Sequence, residues 1–98
     1  MLPIIWRASA RDDLANIIRY IANENLPAAR RMKRLLEESV LPTAEHPYLY
    51  HISDRVPGLR EIVAHPNYIV LYRVTATCIE IVNVVHARRE FPVSTKNE

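Results

Sequence analysis

Three β-rich runs follow one another in the second half of this chain: Leu59 to His65, Tyr68 to Thr75 and Cys78 to His86. Only Pro66-Asn67 and Ala76-Thr77 separate them. Breaks that short hold a turn and nothing longer, so neighbouring runs must pair antiparallel. The last run alternates with apolar residues on both sides, Ile79 and Ile81 on one face and Val82 and Val84 on the other. A strand apolar on both faces needs cover on both. Whatever precedes the three runs must therefore supply one cover, and a loop or a partner the second.

The preceding residues supply helices. Leu2 to Arg7 has β-branched and aromatic character and reads as a short first strand. Ser9 then has the chemistry of a helix N-cap, with Asp12 and Asp13 in the positive first turn. Leu14, Ile17, Ile18 and Ile21 recur at helical spacing and form one apolar face, which ends near Asn23 to Asn25. Pro27 suits the first turn of a second helix. Its inner face is expected to be Ala28, Met32, Leu35, Leu36 and Val40, and Pro42 stops it. Helices joined this closely fold back as an antiparallel hairpin. Thr43 to Pro57 reads as a connecting loop whose Tyr48-Leu49-Tyr50 docks onto the core. The expected fold class is α+β, in the order β-α-α-β-β-β, a helical hairpin packed on a small twisted, mainly antiparallel sheet.

Composition narrows the function. At 98 residues the chain makes one domain, expected over 1–92, with 93–98 as a mobile polar tail. Its 49% hydrophobic content excludes a disordered chain. With 13 Lys plus Arg against 11 Asp plus Glu, total charge alone gives no argument for nucleic acid. The single glycine, Gly58, rules out glycine-rich phosphate loops, and with them nucleotide-dependent chemistry. One cysteine, Cys78, can build neither an internal disulfide nor a thiolate metal site, and reads as a small buried hydrophobe. Neither a membrane span nor a secretion signal is visible, so a cytoplasmic protein is expected.

Side chains with chemical potential cluster late in the chain: His51, His65, His86, Glu61, Arg60, Arg73, Arg88 and Arg89. RNA cleavage would need a base for the ribose hydroxyl, a cation for the transition state and an acid for the leaving oxygen. Against that, a histidine ending an apolar strand, as His86 does, more often caps or packs, and His65 before Pro66 can serve its own turn. With His46 and His51 these histidines match no metal-ligand spacing, so no metal and no cofactor is expected. Arg60 and Glu61 point to opposite sheet faces, and Arg73 is placed to pair with Glu61 or Glu80. The second helix carries Arg30, Arg31, Lys33 and Arg34 before Glu37 and Glu38, with Arg34 and Glu38 spaced for an ion pair. That run reads as a solvated face, or as a basic face for an acidic partner. Arg88-Arg89-Glu90-Phe91-Pro92 joins guanidinium forks to an aromatic, the combination favoured at binding hot spots.

Gly58-Leu59-Arg60-Glu61, His65-Pro66-Asn67-Tyr68-Ile69, Leu71-Tyr72-Arg73-Val74, Val85-His86-Ala87-Arg88-Arg89 and the closing Phe91-Pro92 resemble the ParE branch of the RelE/ParE toxin superfamily, the plasmid stabilisation toxins. The resemblance spans about Leu2 to Pro92 and implies the same β-α-α-β-β-β fold. It implies the toxin of a type II toxin–antitoxin pair, inhibiting growth by binding and poisoning DNA gyrase and neutralised by a cognate antitoxin in a hetero-oligomer. The superfamily's RelE branch implies an alternative, a ribosome-dependent mRNA endonuclease acting on the ribosome and its message. There Arg88 falls where such nucleases carry a catalytic arginine, but Val63, Ala64 and His65 stand where they tend to place arginine or histidine, and Phe91 where many place a tyrosine or histidine. A third reading is a non-toxic relative that only binds its antitoxin. The expectation is a binding toxin with no catalytic residue of its own. Arg88, Arg89, Phe91, His86 and Arg60 are expected to bind the target, and Met32, Leu36, Val82 and Val84 the antitoxin.

Overall fold

The computed structural model describes residues 1–88; Arg89 and Phe91, expected at the target interface, and the expected tail 93–98 lie outside the described residues. The elements run β1 (Ile4–Trp6), α1 (Ala8–Ala22), α2 (Leu26–Ser39), a 3-10 turn (Leu41–Ala44), β2 (Arg60–His65), β3 (Tyr68–Val74) and β4 (Ile79–His86). The α+β order is the one expected. Strands lie in the order β1-β4-β3-β2, with β1 and β4 parallel and the other pairs antiparallel. The helical hairpin leaves β1, crosses one sheet face and returns the chain at the far edge. The β2-β3-β4 meander then brings β4 back beside β1.

The core between hairpin and sheet is built from Ala10, Leu14, Leu36, Val40, Ile62, Val70, Tyr72, Ile79, Ile81 and Val84. Burying a side chain such as Leu36 or Ile79 contributes about 1.5–3 kcal/mol. Asn25 caps α2, its side chain accepting the Ala28 N–H at 2.9 Å, and Pro27 sits in the first turn as expected. On the α2 inner face Ala29 and Leu36 are buried, while Leu35, expected inside, is 40% exposed. Leu36 and Leu35 are neighbours about 100° apart on a helix, so only one can face the sheet. The ion pair on α2 is Lys33 with Glu37 at 3.0 Å.

Two local expectations are corrected at β4. Ser9 is not the N-cap: α1 begins at Ala8, Arg7 stands in the cap position without a side-chain cap bond, and the first turn holds no acidic residue. Ser9 instead donates its hydroxyl to the Val82 carbonyl, and the Asp13 carboxylate accepts both the Val84 N–H and the Asn83 side-chain amide, each at 2.9 Å. These bonds exist because β4 carries a bulge. Leu71 pairs with Asn83 and Tyr72 with Ile81, leaving Val82 as the extra residue. The extra residue shifts the alternation by one. Val84 therefore joins Ile79 and Ile81 under the helices, while Val82 and Val85 face the other way.

The second sheet face is covered by the chain itself. Leu59, Ile69 and Leu71 are buried there, packed with Val56, Val82, Val85 and Ala87. The segment from His51 to Leu59 lies over them as a strap, tied down by Glu61 N–H to the His51 carbonyl (3.1 Å) and Ser53 N–H to the Leu59 carbonyl (2.7 Å). Gly58 turns the strap with φ +86°, a conformation other residues rarely adopt. Of the expected docking aromatics only Tyr50 reaches the core, edge-on to Tyr72 with ring centres 6.4 Å apart. Tyr48 and Leu49 stay exposed.

Candidate functional site

One end of the sheet gathers the chemistry. β2 ends at His65, β3 begins at Tyr68 and β4 ends at His86, and the pairing sets Tyr68 opposite both histidines. The Tyr68 ring lies 5.4 Å from His86, edge-on, and 6.0 Å from His65. Arg88 follows two residues after His86 and is exposed. The Ala87 N–H donates to the Asn67 carbonyl at 2.8 Å, fastening the end of β4 to the β2-β3 turn.

Each imidazole serves its own turn. His65 Nδ1 accepts the Asn67 N–H at 3.0 Å, and His86 Nδ1 accepts the Arg88 N–H at 3.2 Å. With the Nδ1 lone pair engaged, a neutral ring carries its proton on Nε2. Both rings then offer a donor from Nε2, and neither offers a lone pair to take a proton from a ribose. Glu61 is buried, holding the Ser53 hydroxyl at 2.7 Å and Arg55 Nε at 3.4 Å, and Glu80 holds Arg73 at 2.7 Å and Arg7 at 3.4 Å. The rim therefore presents donors and a cation, and these two strand carboxylates are committed elsewhere.

The remaining expected site residues are dispersed. Arg60 opens β2, at the opposite end of that six-residue strand from His65, so it is not part of the rim. Its guanidinium donates to the Tyr50 carbonyl at 2.9 Å and lies 4.9 Å over the Tyr48 ring. Arg73 pairs with Glu80 rather than Glu61. His51 approaches Glu61 at 3.8 Å in the strap. Among the expected antitoxin contacts, Leu36 and Val84 are buried in the core, which leaves them no surface for a partner, and Met32 and Val82 are half-buried. Cys78 is half-buried in the β3-β4 turn, where Thr75 Oγ1 accepts its N–H at 3.0 Å. Among the described residues no group of three or more His, Cys, Asp or Glu could hold a metal ion. No helix of the described chain is long and apolar enough to cross a membrane.

A second feature escaped the sequence. An open groove of about 810 Å³ runs between β1, α1 and α2, with Ile4, Ile5, Trp6, Leu14, Ala15 and Ile18 as its apolar lining. Arg11, Arg19 and Lys33 line it as well, with Glu37 beside Lys33. Arg11, Ala15, Ile18 and Arg19 share one helix face by their spacing, which is the signal that could have marked it.

The model of the ParE toxin of the type II toxin–antitoxin system parDE matches residues 4–91. The chain belongs to the ParE toxin family. Toxin RelE2 of Caulobacter vibrioides is 33% identical over 89 residues, covering 91% of this chain and 99% of that protein. The fold of this ParE-family chain is similar to that in the chromosomal ParDE toxin–antitoxin system from P. aeruginosa, with TM-score 0.77 and 21% identity over 88% of this chain and 96% of that one. It is also similar to YafQ from E. coli, with TM-score 0.50 and 16% identity over 89% and 94%.

Proposed function

We propose that this ParE-family chain arrests growth by binding DNA gyrase through the rim at His65, Tyr68, His86 and Arg88, rather than by cutting a bond. The observation that carries the reading is the engagement of both Nδ1 atoms by backbone N–H groups. A rim of donors and a cation binds an acceptor-rich surface well, and among the described residues it offers no free base of the kind RNA cleavage requires. Gyrase as the target comes from the resemblance to ParE toxins and is the part most exposed to test.

The cognate antitoxin is the second partner. The groove between β1, α1 and α2 is the site we assign to it, because its lining is apolar and its cations exceed its one anion. An amphipathic segment with an acidic margin fits that surface.

A second reading, a ribosome-dependent nuclease, is favoured by the name of the RelE2 relative and by the two imidazoles flanking Tyr68. Induction without antitoxin separates the two. The binding reading expects DNA breaks and loss of supercoiling with intact messages. Defined cuts in a transcript given purified protein and ribosomes, lost on His86→Ala, would replace it with the nuclease.

A further inference from the structure

Glu61 is a buried carboxylate that neither binding surface uses. Its Oε2 accepts the Ser53 hydroxyl at 2.7 Å, and the same Ser53 oxygen accepts the N–H groups of Arg55 (2.9 Å) and Val56 (3.0 Å). The tip of the strap is thereby folded around one carboxylate. Arg55 completes the arrangement from above, with Nε 3.4 Å from Glu61 Oε2 and its NH2 group donating to the Ala87 carbonyl at 2.9 Å. One guanidinium thus spans from β2 to the residue that follows β4, crossing the face of β3. Its planar fork suits two acceptors held at fixed separation, which a lysine cannot reproduce.

Ala87 is the pivot of the rim. Its N–H is held by Asn67 and its carbonyl by Arg55, and the next N–H, that of Arg88, closes on His86 Nδ1. Among the described residues three bonds fix the direction in which the chain leaves the sheet, and of these the Arg55 bond reaches back to the strap. We infer that Arg55 is a positioning residue: anchored on Glu61, it holds the Ala87 carbonyl and so aims Arg88 at the target. The inference rests on the reading that the rim engages the target.

The test compares Arg55→Met with Arg55→Met/Glu61→Gln, the second removing both charges so that no carboxylate is left buried without its partner. Tyr72→Phe, in the core under the helices, serves as a control for lost stability. Growth arrest on induction without antitoxin is scored beside amide hydrogen exchange of the purified proteins. Both Arg55 variants are expected to weaken growth arrest by about tenfold or more in inducer response. They should speed exchange at Ala87 and Arg88 while the β3 and β4 amides stay protected, and Tyr72→Phe should remain toxic.

Unchanged exchange at Ala87 and Arg88, or full toxicity in the double variant, overturns the inference. So does an equal loss of toxicity in Tyr72→Phe, which would trace the effect to stability. Arg88→Ala separates the levels: if it stays toxic, the rim reading falls and this inference with it. If Arg88→Ala is harmless while both Arg55 variants still kill, only the inference falls.

Discussion

The Asp13 carboxylate on α1 accepts the Val84 backbone N–H at 2.9 Å, across the bulge that displaces Val82 from the β4 ladder. β1 pairs only with Ile79 to Ile81, so among the described residues no strand lies on that side of β4 beyond Ile81. Asp13 and Ser9 stand in for the missing strand. An N–H of a buried residue left without its acceptor costs about 1–3 kcal/mol. Asp13→Ala is therefore expected to lower stability by about that amount, or roughly 4–8 °C in melting temperature per kcal/mol for a domain this size. Asp13→Asn keeps one acceptor oxygen and should lose less than half as much. Equal melting temperatures for wild type and Asp13→Ala would show that the bond contributes nothing.

Tyr72 gives a pH-dependent prediction. It is fully buried, and its hydroxyl donates to the Pro47 carbonyl at 2.7 Å. Burial pushes its phenol above the ordinary value, since the phenolate would lose its hydration; the nearby backbone and Arg60 oppose the shift without reversing it. A folded value above the unfolded one, about 10, means that the stabilisation is complete below pH 10 and is lost as pH rises through the folded value. Near neutral pH, Tyr72→Phe should cost about 1 kcal/mol for the lost hydrogen bond. Above pH 10 the gap between the two proteins should narrow, because phenylalanine has no proton to lose. Urea midpoints from pH 7 to 11 that stay parallel would contradict this.

The meander and the hairpin were legible because their signals are local. Two-residue breaks force antiparallel neighbours, and Leu14, Ile17 and Ile18 keep helical spacing. The bulge was not legible. In Ile81-Val82-Asn83-Val84-Val85 an apolar side chain suits either face, so the pattern cannot say where one residue has been inserted. Ser9 misled for a related reason: its hydroxyl suits an N-cap, but the unpaired Val82 carbonyl is a competing acceptor that only tertiary structure creates. At the site, His65 was legible as a turn-serving histidine, since Pro66-Asn67 follow it, whereas His86 read only as a residue that caps or packs, and its bond to the Arg88 N–H had no signal of its own. Arg60 was misplaced, because its neighbour Glu61 says nothing about which end of β2 meets the rim. The strap bridge needed the fold to bring Arg55 to both Glu61 and the Ala87 carbonyl.

If the rim engages the target, removing the Arg88 guanidinium together with that of its sequence neighbour Arg89 should abolish toxicity without unfolding the protein. Arg88→Ala/Arg89→Ala is expected to lower growth arrest by at least about tenfold, the scale of losing interface hot spots. Arg88 is exposed and ends no buried network, so the melting temperature should stay within a few degrees. Retained arrest at matched expression would take both residues out of the target interface.

The groove makes the last prediction, and it separates the two partners. Ala15 is exposed on α1 and lines the groove among Arg11, Ile18 and Arg19. Ala15→Glu places a longer, anionic side chain where an acidic-margined antitoxin segment would lie, so it blocks both by volume and by charge. Glutamate is a good helix former, and a change at this surface should move stability by no more than about 0.5 kcal/mol. The rim is built from other elements, so growth arrest by the free protein should be unchanged. Affinity for the cognate antitoxin should fall by about tenfold or more, measured by calorimetry or by failure to rescue growth on co-expression. A matching substitution on the outer face of α2, Arg31→Glu, lies away from the groove lining and should leave rescue intact. Rescue undisturbed by Ala15→Glu would move the antitoxin to another surface of the molecule.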